Sequence, residues 1–328
     1  MVNIRSYLKH ANISQSPFPF NFKSYLKNNG ILEGYLKADT DIVYKRGNNE
    51  ISYRNNLLNA SILISKEDLS LEKMSFIGDK RNIIPDIFAK KADIKSFLSK
   101  ETVNDFTITL DSIRELDIDY LGVKYFAINT SAGIELRIKN IGESEEYSIK
   151  LENASSGMQT VTPLSVIVEY FSKYYDFIKR FNEIILSYLS QSDNLKDFRA
   201  GLNIGEIKHK NIHLHIEEPE LSLYPESQRS LINFIVNRCF IQEHNDYKMT
   251  VMMATHSPYI INHLNLLIKA YDKKTLVEGA SLNYDDIAVY QIDEGKIYDL
   301  KAQNVKLINT NPLSDTIDDI YDQYDKLG

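Results

Sequence analysis

A strand that runs straight into two adjacent carboxylates constrains this chain more than any other feature. Ile212-His213-Leu214-His215-Ile216 alternates apolar and imidazole side chains, the pattern of a buried strand, and Glu217-Glu218 stands at its carboxyl end. In an α/β protein the crevice outside the carboxyl ends of the strands is where ligands are held. A second apolar run, Met249-Thr250-Val251-Met252-Met253-Ala254, ends in Thr255-His256-Ser257-Pro258. Helices are expected over about 225–241 and 258–270, each following one of these strands. Strand and helix therefore alternate, which specifies a parallel sheet flanked by helices.

The rest of the chain divides the expectation into three parts. Residues 1–70 read as a β-rich lobe, a short helix followed by antiparallel strands at Asp41–Lys45 and Ile51–Tyr53 around Gly47-Asn48-Asn49. Residues 71–205 read as a mainly helical arm. It carries a hairpin of Ile134–Lys139 with Tyr147–Leu151 around Gly142, then apolar residues at helical spacing from Val161 through Leu164, Ile167, Val168 and Phe171 to Tyr174 and Ile178. Residues 206–328 form the α/β core, with further strands at 286–292 and 296–300 about Asp293-Glu294-Gly295 and a final acidic helix at 314–326.

Composition narrows the setting. With 328 residues, 43% hydrophobic and 25% charged, the chain can bury a sizeable core. A single cysteine, Cys239, excludes an internal disulfide, and its place in a helical stretch makes it a packed thiol. No run of about 18 apolar residues and no signal-like start is present, so neither membrane spanning nor secretion is expected and the cytoplasm is the default location. A net charge of −7 argues against a whole-surface nucleic-acid footprint, leaving a local basic patch such as Lys208-His209-Lys210.

The two strand ends, with a third element upstream, resemble the ABC-type branch of the P-loop ATPases, the group containing SMC-like and OLD-family enzymes. Glu217 and Glu218 match the end of its Walker B strand, Leu221 to Pro225 its D-loop, and His256 its switch histidine. Ser155-Ser156-Gly157-Met158-Gln159 is similar to the signature Leu-Ser-Gly-Gly-Gln, with Ser for Leu and Met for the second Gly. The fold implied is a P-loop NTPase sheet with an N-terminal antiparallel part and a helical insertion; the cofactors implied are ATP and Mg2+. The resemblance assigns Glu217 to the metal ion through a water, where relatives more often carry Asp, because a hard cation prefers oxygen ligands and keeps part of its hydration shell. It assigns Glu218 to the attacking water and His256 to the γ-phosphate. It assigns Ser155, Ser156, Gly157 and Gln159 to the nucleotide of a second subunit, at the positive end of a helix. Catalysis then requires a homodimer or a partner ATPase subunit, with Glu217, Glu218 and His256 converging and Ser156 and Gly157 lying far from them. Such ATPases are coupled to nucleic-acid processing or phage defence, through nucleic acid itself or an effector nuclease.

One family element is missing from the sequence. No stretch reads Gly-x-x-x-x-Gly-Lys-Ser/Thr, and Gly30 with Gly34 lacks both the lysine and the hydroxyl residue. Phe20 to Arg81, including Phe76-Ile77-Gly78-Asp79-Lys80-Arg81-Asn82, resembles what normally follows that Walker A loop, so the chain is expected to start inside the ATPase domain. Three charge-assisted hydrogen bonds lost with the loop are worth roughly 4–9 kcal/mol, which takes a micromolar nucleotide affinity to millimolar or worse. The isolated chain is expected not to turn over ATP. The competing reading is a non-catalytic interaction subunit that kept the fold and lends a signature or scaffold to a partner.

Plainer readings stand beside these. Ser155-Ser156-Gly157 is also an ordinary helix start with a serine cap. His213 and His215 share a strand face, but no cysteine or third histidine is placed to complete a metal site, which favours satisfied imidazoles. Leu276-Val277-Glu278-Gly279 resembles the opening of a Toprim nuclease domain, yet the sequence after it is shorter than such a domain. The 21 tyrosines are scattered, so no stacking platform for nucleic acid is expected.

Overall fold

The computed structural model describes residues 37–46, 49–55, 57–61, 70–94, 97–131, 133–180, 182–183, 209–242, 247–302 and 304–327. Among these residues three strands build the sheet that matters for function. They are β4 (Ser70–Ile77), β9 (His209–Glu217) and β10 (Lys248–Ala254), in the order β10-β9-β4. The Glu218 N–H bonds to the Ala254 carbonyl at 2.8 Å, and the Asp79 N–H to the Glu217 carboxylate at 3.3 Å. All three carboxyl ends therefore lie side by side, as parallel strands require. The alternation read in β9 is real: Ile212, Leu214 and Ile216 are at most 1% exposed while His213 and His215 are half-buried.

Antiparallel pieces surround this sheet in the chain order. β1 (Ile42–Arg46), β2 (Asn49–Arg54) and β3 (Leu57–Ser61) form a meander with Tyr44 opposite Ile51 and Tyr53 opposite Leu58. The turn at Gly47 and Asn48 lies outside the described residues, as does the short helix expected near the start of the chain. A four-stranded sheet follows, β5 (Glu115–Ile118), β6 (Val123–Thr130), β7 (Gly133–Asn140) and β8 (Ile149–Lys150). The expected hairpin of 134–139 with 147–151 is its β7–β8 pair, Ile138 opposite Ile149. β5 and β6 come as an addition to the helical reading of that stretch. Leu116 and Tyr125 face one another across them, in segments too short and too mixed to display a strand period.

The helices are built from ordinary stop and start signals. α1 (Ile84–Phe88) and α2 (Phe97–Thr109) pack their aromatic rings, Phe88 edge-on to Phe106 at 5.6 Å. α3 (Ser156–Lys173) is capped by Ser155, whose hydroxyl accepts the Met158 N–H at 3.4 Å, and is buried on nearly every side from Thr160 to Ser172. Its buried Glu169 is neutralised by Lys173 and Arg238, both at 2.5 Å. α4 (Pro225–Val236) and α5 (Pro258–Asp272) each begin with proline at the first turn, where its missing N–H costs nothing. The expected 225–241 helix ends in one π turn, Asn237–Ile241. β11 (Tyr290–Asp293) and β12 (Lys296–Asp299) form a hairpin, shorter than the strand expected at 286–292 because Asn283 caps a 3-10 turn at Tyr284–Asp286. α6 (Asn311–Leu327) is the acidic terminal helix.

The chain divides into two compact units, one of Met1–Ser75, Asp176–His213 and Asp246–Lys248, the other of Phe76–Tyr175, Leu214–Asn245 and Met249–Gly328. Every residue of the site described next belongs to the second unit. Among the described residues no helix is long and apolar enough to cross a membrane.

Candidate functional site

β9 does not simply stop at Glu217. Glu218 turns into the left-handed region with φ of 42°, and Ser222, four residues on, does the same at 61°. Residues with a Cβ lose of order 1 kcal/mol or more in this conformation and hold it only where the surroundings enforce it. At Glu218 the enforcing group is Arg81, 1% exposed, which donates to the carbonyls of Glu217 at 2.7 Å and Glu218 at 2.6 Å. The same guanidinium reaches Gly78 O at 3.1 Å and Thr160 O, in the second turn of α3, at 3.2 Å. All four bonds go to backbone carbonyls, so Arg81 fixes the path of the chain while leaving the carboxylate oxygens to other partners. Burial pulls its guanidinium down to about 10, against the opposing pull of Glu220, Asp79, Glu218 and Glu217. It stays protonated at neutral pH, a single buried cation among four acids.

The carboxylates have separate surroundings. Glu217 accepts the Asp79 N–H on Oε2. Glu220 accepts the backbone N–H of His256 on Oε1 at 2.7 Å, while its Oε2 is buried with no hydrogen-bond partner. His256 itself is exposed, two residues past the end of β10. The neighbouring Ser257 caps α5, accepting the Ile260 N–H and donating to Gln228 Oε1 at 2.6 Å. Gln228 in turn donates to Leu223 O at 2.9 Å. The 218–224 loop is thus tied to the loop after β10 at two points.

Ser155, Ser156, Gly157 and Gln159 form the tip of α3, the two serines exposed and Gly157 and Gln159 half-buried. Gln159 spends its amide protons on Glu152 O and Ala154 O, both at 3.0 Å, which braces the approach to the helix. Ser156 and Gly157 are expected far from Glu217, Glu218 and His256; Gly157 in fact meets the loop that follows Glu218, at Ser222 and Leu223. A Cβ on Gly157 would stand 2.8 Å from Ser222 O and 3.6 Å from the Leu223 side chain. The reason is local: the left-handed Ser222 turns its carbonyl toward the helix tip, and only glycine lets the backbones meet.

His213 Nε2 lies 3.3 Å from Glu72 Oε2. Among the described residues no group of three histidines, cysteines or acids is placed to hold a metal ion. Glu278, which suggested a nuclease opening, lies in a tight turn between Val277 and Ala280 and accepts from Asn233 Nδ2 at 2.7 Å. Arg81, Glu220 and Gln228 escaped the sequence reading as site residues. The one signal for Arg81 was its place four residues after an apolar strand, in the Phe76–Asn82 segment; for Glu220 it was adjacency to the carboxylate pair.

With carboxylates at one strand end, a histidine at the next and a capped helix tip against the loop between them, comparison with known families becomes decisive. The AAA ATPase domain family matches residues 3–261. The chain belongs to that family. No curated protein matches the chain. The matched span contains Arg81, the 155–159 tip, the carboxylates and His256. Membership of the AAA ATPase domain family places the chain among P-loop NTPases and implies ATP binding and hydrolysis.

Proposed function

We propose that this AAA ATPase domain works as an ABC-type ATPase whose nucleotide is shared between subunits. Glu217 holds Mg2+ through a water, Glu218 orients the attacking water, and His256 reads the γ-phosphate from the adjoining strand end. Ser155, Ser156, Gly157 and Gln159 face the nucleotide of a second copy. The observation carrying this reading is the Glu218 N–H bond to Ala254 O, which puts Glu217, Glu218 and His256 on one rim of the sheet.

The residues suit the magnesium nucleotide. Magnesium is commonly held by one or two carboxylates with several waters, so the absence of a three-ligand cluster among the described residues is no obstacle. Glu217, whose carboxylate among the described residues accepts only the Asp79 N–H, at 3.3 Å on Oε2, supplies that kind of oxygen surface. The bound ion would neutralise charge on the phosphates. Arg81, meanwhile, keeps the glutamate backbone in place without occupying a carboxylate.

The sequence holds no Gly-rich Lys-Ser/Thr loop. In our reading the phosphate cradle is not supplied by these residues and has to be added to them, and the assembly acts in the cytoplasm on nucleic acid or with an effector in phage defence. The test is ATP turnover by the purified chain alone and after co-expression with the product of the reading frame immediately upstream. We expect background turnover alone, and turnover in the assembly that Glu218→Gln abolishes. Robust turnover by the chain alone, lost in Glu218→Gln, contradicts the need for an added cradle. Turnover indifferent to Glu218→Gln leaves the non-catalytic scaffold as the reading.

A further inference from the structure

We infer that Glu220 is the positioning residue for His256, coupling the loop that meets the helix tip to the phosphate-sensing histidine. The carboxylate sits on the tight arc between two left-handed residues, Glu218 and Ser222. Its Oε1 accepts the His256 backbone N–H at 2.7 Å, a short bond donated to a carboxylate and of the stronger class. Its Oε2 is buried without a partner, so the side chain is not held there for solvation. The facing cation, Arg81, spends its donors on the carbonyls of Gly78, Thr160, Glu217 and Glu218 and approaches Glu220 only through its charge.

The consequence is mechanical. Two residues further on, Ser222 presents its carbonyl to Gly157, the residue that would meet a second subunit. Displacement of the helix tip moves Ser222, and Glu220 carries that displacement to the backbone of His256. Gln228, bonded to Leu223 O and Ser257, makes a parallel tie one residue beyond each end. Glu220 acts through His256 and touches no reacting atom.

This role rests on the ATPase reading above, and the variants separate the two. In an assembly whose turnover is lost in Glu218→Gln and lowered to a measurable residue in His256→Ala, Glu220→Ala should lower kcat about tenfold or more, with KM for MgATP within about threefold. Combined with His256→Ala it should add no further loss, because both act through one group. Glu220→Gln, whose Oε1 still accepts the His256 N–H, should recover kcat to within about threefold of the parent. Additive losses, or a glutamine variant as slow as alanine, overturn the role. An assembly indifferent to Glu218→Gln and His256→Ala overturns the ATPase reading itself. The contact is then judged on the chain alone by hydrogen exchange of the His256 amide, faster in Glu220→Ala and preserved in Glu220→Gln. Exchange unchanged in Glu220→Ala overturns the inference whatever the turnover.

Discussion

Gly157 lies so close to the carbonyl of Ser222 that a methyl group in place of its hydrogen would stand 2.8 Å from that oxygen. The partner atom is backbone, held by a left-handed residue, and cannot swing away. Gly157→Ala is therefore expected to destabilise the chain by about 1–3 kcal/mol, outweighing the roughly 0.5–1 kcal/mol alanine gains over glycine in a helix. Urea denaturation followed by far-UV circular dichroism measures it. A variant as stable as the parent would show that the tip of α3 does not rest on the loop.

Arg81 gives a graded prediction. Arg81→Met removes the donors of four carbonyls and the cation facing four acids, and a loss of about 3 kcal/mol or more follows from leaving buried partners unpaired. Arg81→Lys keeps the charge but cannot span the same fork, so it should fall between the two. Denaturation midpoints in the order parent, lysine, methionine are expected; lysine equal to parent would deny the fork a role.

The buried His263 predicts a pH dependence. Its Nε2 bonds Asn233 Oδ1 at 2.7 Å, Arg229 lies 3.4 Å from Nδ1, and burial, then Arg229, hold its ring below the usual imidazole value. The unfolded ring takes a proton near 6.5 while the folded ring resists it, so the unfolded state binds more protons in mild acid. Stability is complete above about pH 6.5 and falls as the pH drops below it. His263→Gln should flatten that acid limb. An unchanged slope between urea midpoints at about pH 7.5 and 5.5 would contradict the assignment.

Cys239, 2% exposed, has its thiol pushed up to about 12 by burial. Thiol reagents act on the thiolate, so native protein should resist labelling at neutral pH and take up one equivalent only in denaturant. Rapid labelling in buffer would place the end of α4 in solvent.

The elements with strong local signals were legible. β9 and β10 announced themselves by apolar runs ending in polar residues, and α4 and α5 by their place after those strands, with boundaries shifting by only a few residues. The 225–241 helix changes to a π turn at Asn237, and the strand expected from 286 waits until Tyr290, because Asn283 folds the intervening residues onto a cap. Neither shift carries a periodicity. β5 and β6 were hidden for the same reason. At the site, Glu217, Glu218 and His256 could be placed from their strand ends. Arg81 could not, since an arginine in a sequence reads as surface until the four carbonyls that surround it are brought together from β4, β9 and α3. The contact of Gly157 with Ser222 depends on a backbone angle that Ser222 shares with few other serines.

The central claim is that one copy's Glu218 works with another copy's helix tip, and subunit mixing tests it most directly. Glu218→Gln and Ser156→Arg should each abolish turnover in the assembly. Mixed before assembly, random pairing makes about half the dimers hybrid, each with one intact site, so about a quarter of the parent turnover should return. No recovery on mixing, with both variants folded and assembled, would contradict a site shared between subunits.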